Sequence, residues 1–238
     1  MATAGGVSQG IFPEGGLSLT GRLMPPKLGL LSYLTENPDP NGRDVVFVPV
    51  AINYDRVLED RVLIAAAERG DRRFGAKISV VVKFILKKFW QALRGRFVRF
   101  GTAAVSFGEP LSFQKFGADR PLEELSAVLM DRINDAMPVL IVPLLSHHLG
   151  NADTPVSQAD LEAALSRDAT LFGANMPSYT ADELSVAVSA ALLRMRKHGI
   201  IEEDGERLWK GVAGQEAVLA YYAASIEHRY EEERAVAE

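Results

Sequence analysis

A glycine-containing loop near the beginning of the sequence constrains the fold more than any other stretch. Residues 11–12 have the character of the end of a buried strand, and the apolar segment after the proline pair 25–26 predicts a helix that begins at or near Lys27. Between them, residues 15–16 are glycines, which allow positive φ and a close approach of backbone amides to a ligand. The sequence therefore predicts a strand, a loop and a helix in that order.

The same loop carries polar groups that suit a phosphate. Ser18 and Thr20 supply hydroxyl groups, and Arg22 and Lys27 supply cations. Glu14 can hold a substrate hydroxyl or a neighbouring arginine. On composition alone, however, glycines beside a serine and a threonine are more typical of an ordinary strand-to-helix connection.

The composition excludes several classes of function. The 238 residues are 47% hydrophobic, as in a globular protein with a sizeable core, and they include no cysteine. Disulfides, thiolate metal sites and thiol catalysis are therefore excluded, and a reducing, intracellular setting is compatible. The first residues lack the basic and apolar regions of a signal peptide, and no apolar run approaches the roughly 18–20 residues that span a bilayer. We expect a soluble or peripheral protein without a transmembrane segment.

Charge is unevenly distributed along the chain. Residues 77–99 hold seven basic residues and no acidic one, whereas the whole chain has a net charge of −5, which leaves −12 elsewhere. This asymmetry indicates an anionic partner for one face of the protein. Nucleic acid is the less favoured partner, because no recognised nucleic-acid-binding module surrounds the basic segment.

The basic segment also has the apolar periodicity of an amphipathic helix at residues 77–93. Two interpretations have equal weight. The helix packs on the core with a solvated basic face, or it lies on an anionic membrane surface. The residues that face the membrane in the second interpretation are Lys83, Lys87, Lys88, Phe89 and Trp90.

A second strand is predicted at residues 45–52, which form an almost continuous β-branched and aromatic run. Such a run is typical of a strand buried on both faces of a parallel sheet. Pro49 lacks an amide donor, so it is expected at a strand end, a bulge or an edge. Further predictions are short strands at 96–100 and 102–107, a helix at 123–134, and a buried apolar stretch at 137–145.

The C-terminal part of the sequence predicts helices with polar caps. Helices are expected to begin at Ser157 and at Thr180, where Thr180 and Glu183 form a capping box. A helix that ends near Gly199 is followed by a short two-stranded turn, and residues 215–233 predict one further helix.

The loop resembles a sequence block of the glycerol-3-phosphate acyltransferases, commonly written F-P/I-E-G-x-R-S-R-x-G-(K/R)-L followed by P-K-x-G. Leu17 and Leu19 stand where that pattern has arginines, which in the family are expected to contact the substrate phosphate. Arg22 and Lys27 remain as the nearby cations. The matching residues are Phe12, Pro13, Glu14, Gly15, Ser18, Gly21, Arg22, Leu23, Pro26, Lys27 and Gly29.

Three later blocks resemble the same family in the same order. Residues 45–59 resemble an apolar-Val-Pro-Val strand followed by Tyr-(Asp/Glu)-(Arg/Lys)-Val-x-Glu, and residues 105–111 resemble Val-x-Phe-Gly-Glu-Pro-(Leu/Ile). Residues 219–228 resemble the Tyr-Tyr-x-Asn-x-(Ile/Leu)-x-His helix near the C-terminus of the bacterial enzymes, although Ala224 replaces the asparagine. Ordinary core packing remains compatible with each block taken singly.

The resemblance implies an α/β fold with a partial glycerolipid acyltransferase sheet flanked by helices and followed by a helical C-terminal region. The expected boundaries are 1–148 for the acyltransferase part and 149–238 for the helical part. It also implies transfer of a fatty acyl group from acyl-CoA or acyl carrier protein to glycerol 3-phosphate, without metal or other cofactor. The expected location is peripheral, on the cytoplasmic face of an anionic membrane.

By resemblance, two groups of residues line the site. The acceptor side is formed by Glu14, Gly15, Gly16, Ser18, Thr20, Arg22 and Lys27, and the acyl side by Val48, Pro49 and Val50. In the family a His-x4-Asp motif supplies the general base and precedes the loop block. His148 and Asp153 have this spacing but lie after the loop, so we assign no catalytic residue.

We therefore expect a truncated form that lacks the catalytic base and, with part of its sheet missing, associates with itself. Two alternatives remain open. One is a non-enzymatic lipid- or phosphate-binding module, and the other is an acyltransferase that uses lysophosphatidate or another lysophospholipid.

Overall fold

The computed structural model describes residues 6–35, 42–57, 59–70, 101–117 and 119–237. Two of the expected elements lie outside the described residues. They are the basic helix at 77–93, with Lys83, Lys87, Lys88, Phe89 and Trp90, and the short strand at 96–100.

The described residues form a mixed α/β structure in which helices predominate. The first part of the chain contains α1 (Leu28–Thr35), β1 (Val46–Phe47), β2 (Val50–Tyr54), α2 (Asp60–Arg69), β3 (Ala103–Phe107), β4 (Leu111–Ser112), α3 (Phe113–Phe116) and α4 (Leu122–Asp135). The second part contains α5 (Ile141–Gly150), β5 (Val156–Ser157), α6 (Gln158–Phe172), a 3₁₀ turn (Gly173–Asn175), α7 (Ala181–Lys197), β6 (Ile201–Glu203), β7 (Leu208–Gly211), α8 (Glu216–Ala223) and α9 (Glu227–Ala237).

All the strand pairs among these elements are antiparallel. In the longest pair, β2 and β3, Val50 lies opposite Phe107 and Tyr54 lies opposite Ala103. β1 pairs with β4, and β5, β7 and β6 form a three-stranded sheet in that order. The prediction of a parallel sheet is therefore wrong for the described strands, because an apolar run does not specify the direction of its partner.

The predicted strand at 45–52 is divided into β1 and β2. Pro49, which cannot donate to a strand ladder, lies in the break immediately before β2, and its carbonyl oxygen accepts a hydrogen bond of 2.9 Å from Gly108 N. The expectation for Pro49 is confirmed.

The predicted burial of this strand on both faces is wrong. Ala51 and Asn53 are buried, whereas Val50, Ile52 and Tyr54 between them are exposed. Ala51 packs with Ala136 and Met137 at the end of α4. A two-stranded ribbon covered by a helix on one side leaves the alternate side chains on the other side exposed.

The start of the chain departs from the sequence prediction, whereas the helix after it agrees. Residues 11–12 are not in a strand, and Phe12 is 75% exposed, so the prediction of a buried strand end there is wrong. α1 begins at Leu28, as the proline pair predicts.

Helix α5 lies at the centre of the main core. Seven of its ten residues are buried, and Leu144 and Leu145 are fully buried between neighbouring helices. The same core includes Leu63 from α2, Leu192 from α7 and Leu219 from α8. The helices of the C-terminal part therefore pack against an element that lies between two of the predicted acyltransferase blocks.

The predicted caps form, but the last predicted helix is divided. Thr180 Oγ1 accepts from Glu183 N, and the Glu183 side chain accepts from Thr180 N, which completes the capping box. The helix predicted at 215–233 is instead α8 and α9, separated by residues 224–226. This break sets the position of α9 beside the glycine-containing loop.

Candidate functional site

The loop between Pro13 and Lys27 is a closed turn. Lys27 N donates to Pro13 O at 2.7 Å, and Gly15 N donates to Phe12 O at 3.0 Å. Gly15 has a φ of +66°, and a Cβ at this position would lie 2.7 Å from Lys27 Cδ. Glycine therefore permits both the turn and the placement of the Lys27 side chain against it.

The Glu14 carboxylate forms a hydrogen bond within the loop. Its Oε2 accepts a hydrogen bond of 2.8 Å from Met24 N. Partial burial raises the pKa of the Glu14 carboxyl, and the bond from Met24 offsets part of that effect. Glu14 thus joins the two halves of the loop, whatever it does to a ligand.

The loop hydroxyls shape the turn around Arg22. Ser18 Oγ donates to Arg22 O at 2.6 Å, and Thr20 Oγ1 accepts from Arg22 N at 3.4 Å. Both predicted site residues therefore fix the backbone of Arg22 in this structure.

The Arg22 guanidinium is paired with helix α9. Its Nη1 and Nη2 lie 3.2 and 3.1 Å from Glu231 Oε1, and Nη2 also donates to Glu227 Oε2. The hydrogen bond to Glu231, together with the charges of Glu227 and Glu231, raises the pKa of Arg22. The structure thus places Lys27 against Gly15 and places Arg22 against α9.

Gly21 brings the loop against helix α8. Its φ is +83°, and a Cβ at this position would collide with the carbonyl oxygen of Tyr221 and approach Ala224 Cβ to 3.3 Å. Tyr221 OH also donates a long hydrogen bond of 3.5 Å to Ser18 O. Ala224, which departs from the family's asparagine, therefore lies directly beside the loop.

A shallow groove of about 290 Å³ separates the loop from α2 and α8. Alanines contribute much of its apolar lining, and its polar and charged side chains are Thr20, Arg22, Glu68 and Glu227. The apolar residues that line it are Leu19, Ile64, Ala67, Ala217, Ala220 and Ala224. Leu19, where the family pattern has an arginine, thus faces an apolar surface.

The residues predicted for the acyl side surround the break between β1 and β2. Val48 and Val50 are exposed, and Pro49 between them is buried. Val50 and its cross-strand partner Phe107 belong to the exposed apolar face of the β2–β3 pair.

His148 contacts a different carboxylate from the one its spacing suggests. Its Nε2 lies 2.6 Å from Asp168 Oδ2, to which Tyr230 OH also donates at 2.8 Å. Asp168 follows twenty residues later, on α6, so no short motif marks the pair. His147 stacks on Tyr230 with ring centroids 3.9 Å apart, and burial lowers the pKa of His147 to about 4.

Asp55, which follows β2, is a further residue that the sequence analysis did not single out. Its Oδ2 accepts from Thr102 N at 3.0 Å and its Oδ1 from Val142 N at 3.3 Å, while Arg194 lies 3.6 Å away. The carboxylate thereby joins the β2–β3 pair to α5 and α7. Its location after a strand in a family-like block was the available signal.

Tyr222 joins the second and fourth family-like blocks. Its hydroxyl donates to Asp60 Oδ2 at 2.7 Å and accepts from Val57 N at 3.2 Å. Burial of the phenol, followed by its hydrogen bond to the Asp60 carboxylate, raises the pKa of Tyr222 far above its usual value. Tyr222 therefore acts as a neutral link between α8 and the segment after β2.

Comparison with known proteins finds acyltransferases among the relatives of this chain. The chain is 29% identical over 94% of its length to plsB1 of Mycobacterium tuberculosis, which is named as an acyltransferase. It is 27% identical over 94% of its length to a glycerol-3-phosphate acyltransferase of Alteromonas mediterranea. A stretch of 112 residues, 46% of the chain, is 40% identical to the glycerol-3-phosphate acyltransferase of Pseudomonas fluorescens. No family model matches the chain.

These similarities relate the chain to acyltransferases. The chain is a distant homologue of the glycerol-3-phosphate acyltransferases over most of its length. It spans 37% of the mycobacterial protein and 30% of the Alteromonas enzyme. Within the described part of the chain, no helix is long and apolar enough to cross a membrane.

Proposed function

We propose that this chain carries the acceptor-binding part of a glycerolipid acyltransferase, which transfers a fatty acyl group from acyl-CoA or acyl carrier protein to glycerol 3-phosphate. The observation that carries the proposal is the closed loop from Pro13 to Lys27, formed by the residues that match the family pattern. Lys27 lies against Gly15, and a Cβ on the adjacent Gly16 would meet no other described atom within 4 Å. A cation beside open backbone suits a phosphate.

The proposed acceptor residues divide into two roles. Lys27 and Arg22 supply positive charge, whereas Glu14, Ser18 and Thr20 hold the loop in shape through their bonds to Met24 and Arg22. The glycines at 15 and 16 provide the space for the ligand. We retain Val48, Pro49 and Val50 as the proposed acyl side.

A general base is not part of the proposed site. His148 is held by Asp168 rather than Asp153, so the His-x4-Asp spacing is not a contact here. We propose that the chain binds the acceptor but transfers the acyl group poorly, because loss of a general base lowers a rate by about 10² to 10⁴-fold.

Calorimetric titration with glycerol 3-phosphate tests the acceptor site directly. Lys27→Ala is expected to weaken binding by about tenfold, since it removes a charge-assisted contact. Lys197→Ala, which removes an exposed lysine at the end of α7, is the matched control and is expected to bind as the unmodified chain does. Equal binding by both variants, or none by the unmodified chain, would overturn the proposed site.

Acyl transfer is measured in parallel, from palmitoyl-CoA to labelled glycerol 3-phosphate. Binding without transfer is the expected result, and it also fits the non-enzymatic module. Activity that is lost in His148→Ala but retained in His147→Ala would instead make His148 the base and contradict the proposed lack of one.

A lysophospholipid is the second candidate acceptor, and the apolar groove favours it. Leu19 and Ile64 face this groove beside Arg22, where a chain-bearing acceptor gains contacts that glycerol 3-phosphate lacks. Titration with lysophosphatidate below its micellar concentration decides between them. If lysophosphatidate binds more tightly than glycerol 3-phosphate, and Leu19→Arg removes this difference, the lysophospholipid is favoured. Tighter binding of glycerol 3-phosphate excludes it.

The proposed location is peripheral, on the cytoplasmic face of an anionic membrane. The proposal depends on the composition of residues 77–99, which lie outside the described residues. Flotation with liposomes of phosphatidylcholine, with and without phosphatidylglycerol, tests it. Equal recovery from both would exclude electrostatic attachment.

A further inference from the structure

Arg22, one of the two cations of the acceptor loop, is already bound by two carboxylates. Arg22 donates to Glu231 from both terminal nitrogens, at 3.1 and 3.2 Å, and to Glu227 from one of them. Glu227 and Glu231 are four residues apart, which places both carboxylates on one face of α9. The planar guanidinium therefore donates to these carboxylates the N–H groups that it would donate to a phosphate.

We propose that helix α9 inhibits the acceptor loop, because Glu227 and Glu231 compete with an anionic acceptor for Arg22. The inference rests on the proposed function, since it concerns the phosphate-bearing acceptor of that loop. Carboxylate and phosphate oxygens bind the same donors of an arginine, so only one of the two can saturate Arg22.

The backbone around Arg22 is held within the loop and packed against α8. Ser18 and Thr20 bind the Arg22 carbonyl and amide, and Gly21 is packed against the Tyr221 carbonyl. Exchange of partners therefore takes place through the Arg22 and glutamate side chains.

These three side chains are accessible enough to exchange. The side-chain exposure is 48% for Arg22, 29% for Glu227 and 57% for Glu231. Arg22 and Glu227 also line the groove of about 290 Å³, together with Thr20 and Glu68, so the pair is open to a ligand from that side. Exposed ion pairs are weak and screened by salt, as a reversible competitor must be.

Removal of the competing charges tests the proposal. Glycerol 3-phosphate is titrated into the unmodified chain, into Glu227→Gln/Glu231→Gln, and into Glu206→Gln/Glu233→Gln. The last pair removes the same charge from exposed positions that do not contact Arg22. We expect the dissociation constant to fall by roughly threefold to tenfold in the first variant and by less than about twofold in the control.

The gain must also depend on Arg22. In a chain that carries Arg22→Ala, the further change Glu227→Gln/Glu231→Gln is expected to give no gain in affinity over Arg22→Ala alone. A gain that came only from the change in net charge would not depend on Arg22. A dissociation constant that is unchanged or higher in the glutamine variant, an equal gain in the control, or a gain that survives Arg22→Ala would overturn the inference.

A second measurement separates this inference from the proposed function. Phenylglyoxal labelling of Arg22, followed by peptide mass spectrometry, is expected to be faster in Glu227→Gln/Glu231→Gln than in the unmodified chain and the control. Faster labelling without binding of glycerol 3-phosphate by any variant refutes the proposed acceptor and, with it, competition for that acceptor. Binding without a gain refutes the inhibition alone.

Discussion

At the scale of single residues, Gly21 is the position at which the loop backbone packs directly against the C-terminal helix α8. Its positive φ and the nearby Tyr221 carbonyl leave no room for a side chain. We expect Gly21→Ala to lower the free energy of unfolding by about 1–3 kcal/mol, because the backbone must shift or α8 must move.

Urea denaturation measures this effect. Gly16→Ala is the control, because Gly16 has no positive φ and its Cβ would meet no described atom within 4 Å. A loss of stability that is equal in the two variants would mean that contact with Tyr221 does not limit the loop.

His147 gives the protein a predictable response to acid. Burial, followed in size by the charge of His148, lowers the pKa of His147 to about 4 from an ordinary value near 6.5. The unfolded chain therefore binds this proton at a higher pH than the folded chain. His147 therefore does not change the free energy of unfolding above pH 6.5. It lowers this free energy increasingly as the pH falls from 6.5 to 4, and below that pH its effect is constant.

Replacement by phenylalanine isolates this titration. His147→Phe retains a ring that stacks on Tyr230 but has no titratable group. The free energy of unfolding of this variant is therefore expected to fall less between pH 6.5 and pH 4 than that of the unmodified chain. Urea unfolding of both proteins at several pH values gives the difference, in which other titrating groups cancel. Parallel pH profiles would contradict the assignment.

Residue partners show what the sequence alone could not supply. The sequence indicates a polar loop with the cations Arg22 and Lys27, because all of these residues lie close together along the chain. The partners of Arg22 are 205 and 209 residues away along the chain, and no local pattern pairs charges over such separations. Asp168 lies 20 residues from His148, and no local pattern pairs these two residues either.

At the scale of elements, helices were more predictable than strand pairing. The start of α1, the helix α4 and the capping box of α7 depend on local spacing, and the structure confirms them. The antiparallel pairing of β2 and β3 joins segments far apart in the sequence, and the apolar run at 45–52 does not encode it. The split into α8 and α9 contains neither glycine nor proline and was likewise unmarked.

The capping box of α7 makes a prediction at this scale. Thr180→Ala removes both the acceptor for Glu183 N and one donor to the Glu183 carboxylate, so we expect it to cost about 1 kcal/mol of unfolding free energy. Thr170→Ala, at an exposed position within α6, is the control and is expected to change stability little or to raise it slightly. Thermal unfolding of both variants measures the difference, and equal melting temperatures would exclude a stabilising cap.

At the scale of the whole molecule, five exposed apolar side chains of the described residues share one face of the β2–β3 pair. Val50, Ile52 and Tyr54 are exposed on β2, and Val105 and Phe107 are exposed opposite them, Phe107 by 71%. A contiguous patch of this kind on a short ribbon promotes association. The division into parts at 1–148 and 149–238 stays a prediction, as does the truncated catalytic site.

We expect the chain to associate with itself through this face of the β2–β3 pair. Val105→Thr/Phe107→Thr keeps residues that favour a strand but removes apolar surface, so it is expected to lower the weight-average mass at high concentration. Val186→Ala/Leu193→Ala removes two exposed apolar side chains from α7 and is expected to leave association unchanged. Sedimentation over a range of concentrations compares the three proteins. An unmodified chain that stays monomeric throughout would refute association, and an equal effect of both variants would show that it does not depend on the β2–β3 face.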